Sequence, residues 1–168
     1  VFYSKFKAFE VTGPGVDTML RITQVASVIA VVVVVGLLIW WFARGCPAEA
    51  AGYLGMLMVA SFIATSKAYS PQYTIWLAAL AVVVYGASRV DPEEHRPGRA
   101  WLVLALNVGL MLLTTVIYPT YYSGLVGHNE HSRFAVTVLA MRNGLLLVLI
   151  TLLIALVADR LQRAAAAA

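Results

Sequence analysis

Five long apolar runs divide the chain, at about 23–43, 48–66, 72–88, 101–122 and 134–158, and short polar connections separate them: RGCPAE, SKAYSPQ, RVDPEEHRPGR and SGLVGHNEHSR. Each run approaches the roughly 20 apolar residues that a helix needs to cross a membrane. The first contains VIAVVVVVGLLIWWF and is rich in β-branched residues. In lipid an open strand leaves backbone groups unpaired, whereas a helix satisfies its own, so helices are predicted throughout. Strands of a membrane barrel alternate polar and apolar positions, and these runs do not. The pattern predicts an all-α fold, a polytopic integral membrane helix bundle of about five transmembrane helices over residues 23–163. An interfacial or external segment, 1–22, precedes it, where Gly13-Pro14-Gly15 breaks any helix. An alanine tail, 164–168, follows.

Composition strengthens this picture. The 168 residues are 61% hydrophobic and 12% charged, against nearer half and a quarter for a soluble domain. Mean hydropathy is +0.84. The net charge of +4 comes from basic residues beside the runs, where they set topology. No basic cluster is interleaved with aromatics, so nucleic acid is not an expected partner. Cys46 is the single cysteine, which excludes an internal disulfide and a cysteine-based metal site.

Five crossings put the termini on opposite faces. One face carries Lys5, Lys7, Arg21, Lys67 and Arg133; the other carries Arg44, Arg89, Arg96, Arg99, Arg160 and Arg163. The basic residues of the 89–99 loop and of the C-terminal end favour the second face as cytoplasmic. The 65–73 turn then faces outward from a bacterial cytoplasmic membrane.

That turn, TSKAYSPQY, holds the most informative polar residues. Ser70-Pro71 is a helix-start signature, since serine caps and proline fits the first helical position. A helix start offers unpaired N–H groups and the positive end of a macrodipole. Lys67, Ser70 and Gln72 surround it, a pattern suited to an anion such as a lipid-borne phosphate. A plain polar turn with Lys67 marking the interface fits the same residues.

The string KAYSPQYTIWL, Lys67 to Leu77, resembles a motif of the bacterial polyprenyl-phosphate-mannose-dependent α-1,2-mannosyltransferases, a family of multi-spanning C-type membrane glycosyltransferases. Thr74 replaces an apolar residue of that motif. Looser echoes lie in FKAFEV, Phe6 to Val11, and MRNGLLLVL, Met141 to Leu149. The resemblance implies transfer of mannose or a related sugar from a polyprenyl-phosphate donor to a glycolipid or lipoglycan acceptor outside the membrane. It implies donor phosphate and lipid contacts at Lys67, Ser70, Gln72, Tyr73 and Arg142, with Trp76 beside them. The family's catalytic acid lies on an early external loop that this sequence does not contain. The expectation is therefore a C-terminal portion of a longer enzyme, whose remainder or other membrane subunits, with membrane lipid, are its partners.

Arg142 lies eight residues into the fifth run, about 12 Å of helix. A guanidinium inside a bilayer costs roughly 2.5–3.5 kcal/mol. It is expected to face a polar cavity, a carboxylate or a phosphate together with Asn143, or a partner within the bundle, or to snorkel outward. Asn107 is expected to hydrogen-bond between helices. Lys7 near the first run, and His128 and His131 in GHNEHSR, are accessory candidates for phosphate or sugar contact; the plainer readings are an interfacial amphipathic stretch with solvated charges for the first and a solvated loop for the second. The two histidines are three apart in a glycine-led loop rather than four apart on a helix, so no metal is expected and no cofactor is called for. No nucleotide fingerprint or Gly-rich phosphate loop appears, in keeping with a lipid-linked donor. The rival reading is a small non-enzymatic membrane subunit that scaffolds a larger complex.

Overall fold

The structure, a computed structural model, describes residues 2–3, 9–10, 14–43, 48–66, 72–90, 97–122, 125 and 132–167. Five helices carry the fold: α1 (Val16–Ala43), α2 (Ala48–Thr65), α3 (Gln72–Val90), α4 (Pro97–Thr115) and α5 (Ser132–Ala167). Two short strands, β1 (Phe2–Tyr3) and β2 (Phe9–Glu10), pair antiparallel ahead of them, with Phe2 opposite Glu10. The fold is an all-α membrane helix bundle. Among the described residues, three helical stretches are long and apolar enough to cross a membrane: α1, Gly98–Tyr121 and Arg133–Arg163.

The chain turns at Pro14-Gly15, where Gly15 has φ 84°, a value that favours glycine. Helix α1 then starts at Val16, seven residues ahead of the first apolar run. Asp17 in its first turn complements the helix dipole, so the polar stretch 17–24 continues the helix rather than delaying it. Helix α4 gives way to a kinked segment, Val116–Tyr121. Pro119 lacks an N–H, and the residue before a proline is pushed from helical to extended geometry; Tyr118 sits at φ −120°, ψ 122°. Helix α5 runs well past residue 158, through a stretch rich in Ala, Leu, Arg and Gln that favours helix.

Helices α2, α3, α4 and α5 close into a ring. Helix α2 packs on α3 and α5, and α4 packs on the same two, so α2 and α4 occupy opposite corners. Helix α1 lies outside the ring, against α2. The ring's centre holds Leu54, Met56, Leu77, Val103, Leu110, Leu149 and Leu153, all fully buried. Close approach needs small residues at two crossings. A Cβ on Gly52 of α2 would stand 2.7 Å from Val84 Cγ2 of α3, and one on Gly109 of α4 would stand 2.9 Å from Leu145 Cδ2 of α5.

Those pairs fix the relative heights of the helices. Gly52 lies level with Val84, and nearer the other end Phe62 stacks edge-on against Tyr73, centroids 5.9 Å apart. The C-terminal end of α2 and the start of α3 therefore sit together at one face of the bundle. At the opposite face Tyr85 meets Trp101, and Asp159 of α5 forms ion pairs with Arg99 of α4 and with Arg163.

Candidate functional site

The residues singled out from the sequence fall into three groups. Lys67, Ser70, Lys7, His128 and His131 lie outside the described residues. Gln72, Tyr73 and Trp76 belong to the first turns of α3 and are described. Arg142 belongs to α5.

Gln72 is exposed at the first position of α3. Tyr73 is half-buried between two rings, Phe62 of α2 and Trp76 one turn on, with centroids 5.9 and 5.0 Å away. Its ring thus ties the end of α2 to the start of α3. Trp76 is 50% exposed on the outside of the bundle, where an amphipathic ring suits a membrane interface. Leu77 and Thr74 point inward and are buried.

Arg142 is 93% buried, at 7% relative exposure, in a chain with few buried charges. Its Nε and Nη2 donate to Asn143 Oδ1 at 3.2 and 2.8 Å. This turns the guanidinium toward a cavity of about 240 Å³ between α2 and α5. Ile63, Ala64 and Ser66 line it from α2 and the residue after it; Arg142, Asn143, Leu146 and Leu147 line it from α5. Gln72, Tyr73 and Trp76 do not border this cavity, so the helix-start residues and Arg142 approach the end of α2 from different sides.

Height resolves the depth of Arg142. It follows Ser132 by ten residues, about 15 Å of helix. Yet it sits beside Ser66, because α5 and the kinked end of α4 reach that far beyond the end of α2. Arg142 is therefore level with the C-terminal end of α2. Seventeen residues separate Gln72 from Arg89 on α3, and seventeen separate Arg142 from Asp159 on α5. Both intervals are about 26 Å at 1.5 Å per residue, close to the roughly 30 Å of a hydrocarbon core. Gln72 and Arg142 thus lie toward one end of the bundle, and Arg89 and Asp159 toward the other.

Ser66 was not among the residues picked from sequence. Its position immediately before Lys67 was the available signal. Asn107 is 2% exposed in α4, and its Nδ2 donates to Val103 O of its own helix at 3.0 Å. The hydrogen bond expected between helices is thus an intrahelical one. Among the described residues, no three His, Cys, Asp or Glu side chains gather where a metal ion could sit.

No protein-family model matches this chain, and no curated protein or solved structure matches it. Chemically, the arrangement offers a buried guanidinium, an amide and a serine hydroxyl beside the apolar side chains of Ile63, Ala64, Leu146 and Leu147. That combination suits an anion carried on a hydrocarbon chain.

Proposed function

We propose that this chain is the membrane part of a glycosyltransferase that uses a polyprenyl-phosphate sugar donor. It transfers mannose or a related sugar to a glycolipid or lipoglycan acceptor on the outer face of a bacterial cytoplasmic membrane. The observation that carries the reading is the buried Arg142 guanidinium beside Ser66. Residue 66 immediately precedes Lys67 and the SPQY sequence, so the guanidinium shares a cavity with the residue that leads into that motif. The resemblance of residues 67–77 to the mannosyltransferase motif supplies the sugar and the lipid.

All five helices cross the membrane in this reading. Helices α2 and α3, with 18 and 19 residues, span about 27–29 Å and match a hydrocarbon core of about 30 Å. The end of α2 and the start of α3 face outward. An acid from another part of the enzyme takes the proton from an acceptor hydroxyl, which displaces the polyprenyl phosphate with inversion. Arg142 and Lys67 meet the negative charge that grows on the departing phosphate. Interactions that strengthen as charge develops raise turnover rather than merely tightening binding.

The test uses the full-length enzyme in native membranes with radiolabelled polyprenyl-phosphate mannose. Arg142→Gln and Lys67→Ala should each lower turnover by about 10²-fold, the usual cost of removing one donor to a developing oxyanion, with membrane levels of the protein unchanged. Wild-type turnover in both variants rejects the reading.

A further inference from the structure

Adjacent residues on a helix diverge by about 100° and do not face each other. Arg142 and Asn143 of α5 meet all the same: Asn143 Oδ1 accepts from both Nε and Nη2 of Arg142, at 3.2 and 2.8 Å. The guanidinium is thereby drawn across the helix surface toward its neighbour. An arginine in a membrane helix otherwise extends its stem toward the aqueous face. Here it is 7% exposed and shares with Asn143 and Ser66 the cavity of about 240 Å³. The guanidinium is planar and rigid, so fixing two of its five N–H groups fixes the direction of the other three. The acceptor that fixes them is an uncharged amide. A carboxylate at position 143 would hold the group about twice as strongly, through charge-assisted hydrogen bonds, but would oppose its charge. The amide sets direction and takes nothing from the field that an anion meets.

We infer that Asn143 is a positioning residue: its amide oxygen holds the Arg142 guanidinium back from snorkelling and aimed into the cavity, without opposing its positive charge. This rests on the phosphate reading of Arg142 and adds to it how that group is held and why the partner is neutral. Asn143 acts through Arg142 and not on the ligand. Replacing the amide by a carboxylate therefore separates two effects that alanine removes together. Aspartate keeps the acceptor oxygen and so the direction, and it spoils the charge.

The test uses the full-length enzyme with Asn143→Ala, Asn143→Asp, Arg142→Gln and the double substitution Arg142→Gln with Asn143→Ala. Turnover is read in native membranes with radiolabelled polyprenyl-phosphate mannose, and stability by SDS titration of the purified protein in mixed micelles. Asn143→Ala releases the guanidinium and should lower kcat by about 10-fold, as misplacement of a charge-stabilising group does, with KM for the donor little changed. Asn143→Asp should lower kcat by about 10²-fold, as far as Arg142→Gln, yet unfold no earlier than the parent. Of the three residues at position 143, the one that gives the most stable protein thus gives the slowest. An amide with a merely structural role predicts that activity follows stability, and that result overturns the inference. The double variant should be no slower than Arg142→Gln alone, because the amide acts through the arginine. Losses that multiply overturn the inference and make the amide a ligand contact. A slow Arg142→Gln with Asn143→Ala at the parental kcat rejects the positioning role and leaves the phosphate site standing. Parental turnover in Arg142→Gln rejects the phosphate reading, and this inference with it.

Discussion

Helices α1 and α2 pack against each other and differ in nearly every other respect. Helix α1 has 28 residues and the most apolar run in the chain, five consecutive valines included, yet buries only Val34 and Trp41. Helix α2 has 18 residues, with two glycines and several alanines, and buries Tyr53, Leu54, Met56, Leu57, Ala60 and Ile63. In water the more apolar helix would be the core. In lipid, apolar surface has no need to leave its solvent, so hydropathy reports contact with lipid, and burial follows small residues and shape. The central helix of this bundle is the one whose surface lets neighbours approach, and the peripheral helix is the one that lipid solvates best.

The largest expected difference between the two helices is in deletion of side-chain volume. Leu54 is fully buried at the ring's centre, and Val32 is 64% exposed. Leu54→Ala leaves a cavity among Leu, Met and Val neighbours and should cost about 2–5 kcal/mol. Val32→Ala should stay within about 0.5 kcal/mol of the parent, as substitutions at exposed positions do. Unfolding by SDS titration in mixed micelles measures both. Equal costs would mean that α1 is as tightly packed as α2, and the contrast would fail.

The next effect is in glycine. Gly52 of α2 faces the branched side chain of Val84, whose Cγ2 can swing away only by leaving the χ1 rotamer that a helix strongly favours. Gly52→Ala should cost about 1–3 kcal/mol from overpacking, and Val84→Ala should restore much of it. Gly36 in α1 has open space where a Cβ would stand. Gly36→Ala should be neutral or favourable by up to about 1 kcal/mol, since alanine is the better helix former. The two substitutions are chemically identical and should carry opposite signs in the same SDS titration.

This contrast also marks what the sequence disclosed. The helical bundle was legible, because runs of apolar residues in lipid admit little else, and the limits of α2 and α3 follow the apolar runs closely. The limits of α1 and α4 do not. Asp17 and Arg21 read as a polar segment although nothing in them stops a helix, and only Gly15 sets the start. The fourth run continues unbroken to 122 because hydropathy does not register the lost N–H of Pro119 or its effect on Tyr118. Ring closure was hidden for a related reason: helices apolar on every side carry no stripe that names a partner. At the site, Arg142 was conspicuous as a charge in an apolar run. That it lies beside the end of α2 was hidden, because this depends on the packing of α5 against α2. Ser66 was passed over beside the louder Lys67.

The smallest effect concerns charge. Asp159 is the described residue that joins α5 to α4 by an ion pair, through Arg99, and it also engages Arg163 one turn on. Helix α1 has no such link to α2 among the described residues. If charge rather than packing set the ring apart from α1, Asp159 would be where it acted. The side chains of Asp159 and Arg99 are each about a third exposed, at 32%. Water and salt screen pairs of that exposure, and typical values are about 0.2–1 kcal/mol. Asp159→Asn should therefore lower stability by less than about 1 kcal/mol, with the loss shrinking further in about 0.5 M salt, where the screening length falls toward a few ångströms. A loss as large as that of Leu54→Ala, or one indifferent to salt, would show that the ring is held by its polar belt and that the small residues of α2 are incidental. A small, salt-sensitive loss leaves packing as the difference between the helix that is central and the helix that is not.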